Sequence, residues 1–199
     1  MSADGRTLLQ HGALGTVCRV EDAGPGMPGP CLERDTRAAR CGLRLVARWI
    51  VAREARALEA LRGVSGVPPL LDWDGRVLRR GWIDAQPLHA VEAGDPRYYR
   101  EALRLVRRLH AAGVLHNQLH HEPHWLVAAD GLPALVGFGG VSQPRYRGWR
   151  FKALARDDLR QWLQLKQRHC RQPLTARQRK LAAPRSVVSA LCVRLARLR

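Results

Sequence analysis

Polar and apolar positions alternate through the opening stretch LLQHGALGTVCRV towards Val17 and Val20, around Gly12 and Gly15, and predict a strand, a glycine turn and a second strand. The Gly- and Pro-dense EDAGPGMPGP that follows predicts a loop, and CLERD a short strand. In GLRLVARWIVAREARALEALRGV the residues Leu45, Ile50, Ala57, Leu58 and Leu61 recur at helical spacing, so a helix ending near Gly63 is expected. Two short apolar runs then flank Asp74-Gly75, the dipeptide of a tight hairpin. Asp95 precedes Pro96 as cap and first helical residue, and the stripe Leu103, Val106 and Leu109 runs on to a stop at Gly113. HWLVAA and PALVGF flank Asp130-Gly131 as a second hairpin, and from Lys152 onward the pattern is helical with breaks at Pro173 and Pro184. There are no internal repeats and no low-complexity tract.

At 199 residues the chain suffices for one compact domain or two small lobes. No apolar run approaches the roughly 18 to 20 residues that span a bilayer, and MSADGRTLLQHG lacks the pattern of a secretory signal. A cytoplasmic protein is expected. Five cysteines, Cys18, Cys31, Cys41, Cys170 and Cys192, are scattered without a C-x-x-C pair, which favours reduced structural thiols over a disulfide framework or a zinc site. Charge changes the picture more. The net charge is +17, and from Arg145 to the end sixteen Lys and Arg face only Asp157 and Asp158, so +14 of it sits in the last third. Such a tail suits an anionic neighbour: nucleic acid, acidic protein or membrane surface. Nucleic acid has the charge alone in its favour, with no stacking-aromatic motif or zinc pattern beside it.

Element order, the glycine turn at the start, and a His-x-x-Leu loop before a hairpin ending in x-Phe-Gly resemble a protein kinase. More closely, HNQLHHEPHWLV, VAREARALEAL and ARDDLRQWLQLKQR resemble small bacterial serine/threonine-kinase-like proteins related to RIO and lipopolysaccharide kinases, from about residue 7 to 185. The resemblance implies an α+β, bilobal kinase-like fold with a minimal C-lobe. An N-lobe is expected over 1–90, a C-lobe over 91–185 and a basic amphipathic helix over 186–199.

Kinase chemistry requires amides over the phosphates, a Lys held by a helical Glu, a loop Asp for the substrate hydroxyl, and Asn and Asp ligands for the metal. By resemblance, Gly12 and Gly15 fit a shortened glycine loop and Glu54 the helical glutamate. The lysine is missing: the chain's only lysines are Lys152, Lys166 and Lys180, and CLERD offers Glu33 or Arg34 instead. An arginine fork does not reproduce a compact ammonium. His116, Asn117 and Leu119 match the loop, but Gln118 stands at the aspartate position, and an amide cannot take a proton at neutral pH. Alignment with the family's Asn-Trp-Leu-Val puts His124 at the metal-ligand Asn, where the general kinase spacing would select Pro123, which cannot ligate. Gly137 falls at the metal-ligand Asp, 19 residues after Gln118, and between Gly131 and Lys152 there is no Asp or Glu. Glu122, Pro123, Trp125 and Phe138 are retained scaffold.

These departures lead to a pseudokinase that serves as a binding or regulatory module for an unidentified protein. The alternative is an active, atypical ATP-dependent phosphotransferase, of protein- or lipopolysaccharide-kinase type, using Arg34, Gln118 and His124 with Mg or Mn. Two further readings remain. His116, His120, His121 and His124 with Glu122 could supply transition-metal donors, although no recognised metal spacing is present. SVVSALCVRLARLR places Val187, Leu191, Leu195 and Leu198 on one helical face with arginines opposite, which could rest on the anionic inner membrane face or pack onto the C-lobe.

Overall fold

β1 (Arg6–Gly12), β2 (Gly15–Val20), β3 (Cys31–Asp35), β4 (Leu70–Trp73) and β5 (Val77–Gly81) form an antiparallel sheet in the order β1-β2-β3-β5-β4. The computed structural model describes residues 5–22, 29–91, 94–183 and 193. The chain divides into one unit of Met1–Gly63 with Pro68–Asp84 and a second of Val64–Val67 with Ala85–Arg199. Residues 85–90 therefore join the second unit, six positions ahead of the expected boundary, because β6 (Ala85–Pro87) pairs with β7 (Trp125–Ala128).

In the first unit the β1–β2 hairpin closes with Gly12 opposite Gly15, leaving only Ala13 and Leu14 in the turn. Gly15 has φ +115°, and a Cβ there would overlap the carbonyl oxygen of Asp35. Close approach of β3 thus demands a glycine at 15, whereas a Cβ at Gly12 would meet no atom within 4 Å. Asp74 closes the second hairpin by accepting from the backbone N–H groups of Arg76 and Val77, both at 2.7 Å. Helix α1 (Arg44–Ala60) buries Ala47, Val51, Glu54, Ala55, Ala57 and Leu58. Val51 and Ala55 pack on Leu78 of β5, with Leu70 and Trp73 alongside. Of the expected stripe, Ala57, Leu58 and Leu61 are buried and Ile50 is half-buried, but Leu45 is 77% exposed.

The second unit holds the sheet β6-β7-β8, with β8 at Pro133–Leu135, and helices α2 (Pro96–Ala111), α3 (Trp149–His169) and α4 (Ala176–Ala182). Asp95 caps α2 through the Arg97 N–H with Pro96 in the first turn, as the sequence predicts. The buried face of α2 is Tyr98, Tyr99, Ala102, Leu105, Val106 and Leu109, so the stripe passes through Leu105 and leaves Leu103 at its margin. Thr175 and Gln178 form a reciprocal capping box at the start of α4, two residues beyond the break at Pro173. Residues 64–67 belong to this unit because the Gly66 carbonyl accepts from the Leu135 N–H at 2.8 Å. The helix expected over 186–199 lies outside the described residues except for Val193, which is buried with Leu115, Phe151 and Leu154. Among the described residues no helix is long and apolar enough to cross a membrane, and Cys18, Cys31, Cys41 and Cys170 are free thiols.

Candidate functional site

Two constellations carry the predicted site residues, one in each unit. In the first, β3 presents alternate side chains to opposite faces of the sheet, so Glu33 and Arg34 part company. Arg34 Nη1 meets Glu54 Oε2 of α1 at 2.8 Å, and Arg80 Nε of β5 approaches Glu54 Oε1 at 3.6 Å. Glu33 instead accepts from Arg79 at 2.9 Å and Arg6 at 3.2 Å. Of the two residues that could replace the lysine, Arg34 is therefore the one that reaches Glu54. The Glu54 carboxylate is buried among two guanidiniums, and burial together with Arg34 lowers the pKa of Arg80. Such a pair reproduces a cation on the helical glutamate but fills the space with a planar fork.

The second constellation is the loop from Val114 to His124 with the turn at Phe138–Gly140. Asp158, on the inner face of α3 and fully buried, holds the loop backbone. Its Oδ1 accepts from the Asn117 N–H at 2.7 Å, and its Oδ2 from the His116 N–H at 2.9 Å and His110 Nε2 at 3.1 Å. Asn117 has φ +65°, a left-handed conformation that asparagine tolerates better than most residues. Its Nδ2 donates to the Gly140 carbonyl and Ser142 Oγ, both at 2.9 Å, which ties the loop to the segment after Phe138. Trp125 Nε1 donates to the Leu119 carbonyl at 2.9 Å from a fully buried position. The sequence reading missed Asp158 and Asn117 as positioning residues. The signal available was ARDDLRQW itself, where an aspartate falls on the apolar face of a helix and must therefore have a polar partner.

Gln118 is exposed, and its side chain lies over Gly140, where a Cβ would stand 2.7 Å from Gln118 Cδ. His116 is fully buried and its Nε2 lies 3.0 Å from the Val136 carbonyl; since a carbonyl only accepts, Nε2 carries the proton. His124 takes the place of a side chain at residue 137. Gly137 has φ +81°, and a Cβ built on it would lie 2.7 Å from His124 Cε1, with Cδ2 and Nε2 nearer still. At residue 137, where the resemblance leads one to expect a metal-ligand aspartate, an imidazole thus occupies the space of the missing side chain. Burial, and then the neighbouring His116 and His121, push the His124 pKa down to about 4. The ring is neutral at physiological pH.

Three of the four loop histidines cluster, with His124 edge to face against both His116 at 5.4 Å and His121, while His120 turns to a separate partner. His116 faces Val136; His120 Nδ1 donates to Gln161 Oε1 at 2.8 Å, and Gln161 in turn donates to Asp157 at 2.8 Å. The rings of His121 and His124 meet edge to face at 4.5 Å, and Glu122 pairs with His169 at 3.3 Å. Among the described residues no group of three or more His, Cys, Asp or Glu side chains could hold a metal ion. For magnesium the donor set is wrong in kind as well. It takes hard oxygen ligands, and the two positions expected to provide them hold an imidazole and a glycine. The residues present do not fit a magnesium ion at this turn.

No protein-family model matches the chain, and no curated protein sequence matches it. Solved structures do. The Rio2 kinase from Chaetomium thermophilum superposes with a TM-score of 0.62 at 15% identity, covering 94% of this chain and 69% of that one. Its ADP/Mg2+-phosphoaspartate complex gives a TM-score of 0.62 at 14% identity, covering 96% and 68%. The chain has a protein-kinase-like fold.

Proposed function

We propose that this protein is a pseudokinase, a kinase-like fold that has given up phosphoryl transfer and serves as a binding or regulatory module for a protein partner in the cytoplasm. The observation that carries this reading is the His124 ring seated in the space of a side chain at Gly137. Loss of one carboxylate could be a local substitution. Here the vacated volume is refilled by a neutral ring from a second altered position, so the turn is packed for its present composition. Gln118 over Gly140 agrees: the amide can hydrogen-bond a hydroxyl but cannot accept its proton. The buried scaffold of Asp158, Asn117 and Trp125 keeps the loop in shape without a carboxylate at its working end.

One observation favours the alternative, an atypical ATP-dependent phosphotransferase. The Arg34–Glu54 pair at 2.8 Å keeps a cation on the helical glutamate, which suits retention of nucleotide phosphates. The two readings separate in a thermal-shift titration with ATP, alone and with magnesium or manganese, followed by a phosphoryl-transfer assay. A pseudokinase gives either no shift or one that is the same with and without metal, and no transfer. Metal-dependent stabilisation together with turnover lost in Gln118→Ala would establish the enzyme instead.

A further inference from the structure

Helix α1 has its polarity reversed in its first turns. Up to Ala55 its buried side is built from small residues and a carboxylate, Ala47, Val51, Glu54 and Ala55, whereas Leu45, Val46 and Trp49 face outward; the large apolar residue it buries, Leu58, lies in its last turn. Leu45 is 77% exposed, Trp49 55% and Val46 47%, and Leu43, which precedes the helix, is 37% exposed. Leu45 and Trp49 are one turn apart and Val46 adjoins both, so the three make a continuous apolar ridge. Exposed Arg40, Arg44 and Arg48 border it, and the Arg53 guanidinium stacks on the Trp49 ring at 4.4 Å. Between Asp35 and Glu54 the chain contains five arginines and no acidic residue.

We infer that this ridge is a docking surface for an anionic lipid bilayer. Charge complementarity excludes the occupants nearest to hand. A second copy brings a net charge of +17, and the chain's own C-terminal segment after Ala183 is also basic, with Arg185, Arg194, Arg197 and Arg199 and no acid. A convex helical ridge of Leu, Val and Trp lacks the groove into which an acidic peptide helix would lay its apolar face. It matches an interfacial helix, whose apolar side chains enter the headgroup region while arginines at the rim meet phosphates. The sheet beneath α1 anchors the other side of the helix, so the ridge is presented without any segment having to fold on contact.

Co-sedimentation of the full chain with equimolar phosphatidylglycerol and phosphatidylcholine vesicles, against phosphatidylcholine alone, tests this. The wild type is expected to bind the anionic vesicles only. The triple variant Leu45→Ser, Val46→Ser, Trp49→Ser keeps every charge, and it is expected to lose about tenfold in partitioning at an unchanged Tm. Binding by the variant equal to wild type would mean adsorption through charge elsewhere and would overturn the proposal. So would absence of wild-type binding, which would reassign the ridge to an acidic protein. Should the triple variant fold poorly, brominated phosphatidylglycerol provides a second readout. It must quench wild-type tryptophan fluorescence more than that of Trp49→Phe, and equal quenching removes Trp49 from the bilayer.

Discussion

Two buried carboxylates, Glu54 in the first unit and Asp158 in the second, have met different surroundings. Glu54 sits between Arg34 and Arg80, charge against charge. Asp158 sits among backbone N–H groups and the His110 ring, and fixes the shape of a loop. Removing either would strand its partners in a low-dielectric interior, which costs far more than losing an exposed group. The carboxylates that phosphoryl transfer requires at the loop and turn enjoy no such protection, because their partners are substrate and metal. At those positions stand Gln118 and Gly137. The proposed loss of phosphoryl transfer without loss of fold is the outcome this contrast favours.

The comparison can be broken most forcefully at Asp158. Asp158→Ala leaves the N–H groups of His116 and Asn117 without acceptors and should destabilise the protein by about 3 to 5 kcal/mol in urea unfolding. A loss below about 1 kcal/mol would mean that the loop does not depend on this carboxylate. Glu54→Ala comes next, with an expected loss of about 2 to 4 kcal/mol from two guanidiniums left facing one another; Glu54→Gln should recover part of it.

Gly137→Asp sharpens the comparison at the turn. A side chain there meets the His124 ring and needs φ +81°, so a loss of about 2 to 3 kcal/mol is expected, reduced by more than about 1 kcal/mol when combined with His124→Ala. Additive losses would show that the ring is not the obstacle. It follows that restoring aspartates at 118 and 137 tests for a lost activity only when His124 is replaced as well.

The acid dependence of stability reports the same ring. The folded His124 pKa of about 4 lies below the ordinary histidine value, so the unfolded chain binds the proton first as pH falls. The contribution is fully present above about 6.5 and is lost on descent towards 4, on the order of 1 to 2 kcal/mol once solvent screening of the partly exposed ring is allowed for. His124→Asn should flatten the Tm against pH curve across that window. The smallest effect belongs to Gln118→Asp, an exposed position, with a stability change within about 0.5 kcal/mol and no gain of phosphoryl transfer.

Much of this was legible in the sequence. The turn dipeptides Asp74-Gly75 and Asp130-Gly131 and the Asp95-Pro96 helix start depend on neighbours in the chain, so local chemistry fixed them, whereas the loop motif HNQLHHEPHWLV was legible as a motif but is held by the distant Asp158. The absence of any lysine before Lys152 determined, without a structure, that an N-lobe ammonium is missing. Charge favours Arg34 over Glu33 as the partner of Glu54, but only the tertiary structure decided that Arg34 leaves the face of β3 turned to α1 and that Arg80 joins it there. It also turned Leu45 and Trp49 outward, because the sheet accepts the small side of α1 and periodicity cannot tell which side of a helix finds a neighbour. Finally, it placed His124 on Gly137. Twelve residues separate them in sequence, and only packing brings a ring to the place where a side chain is absent.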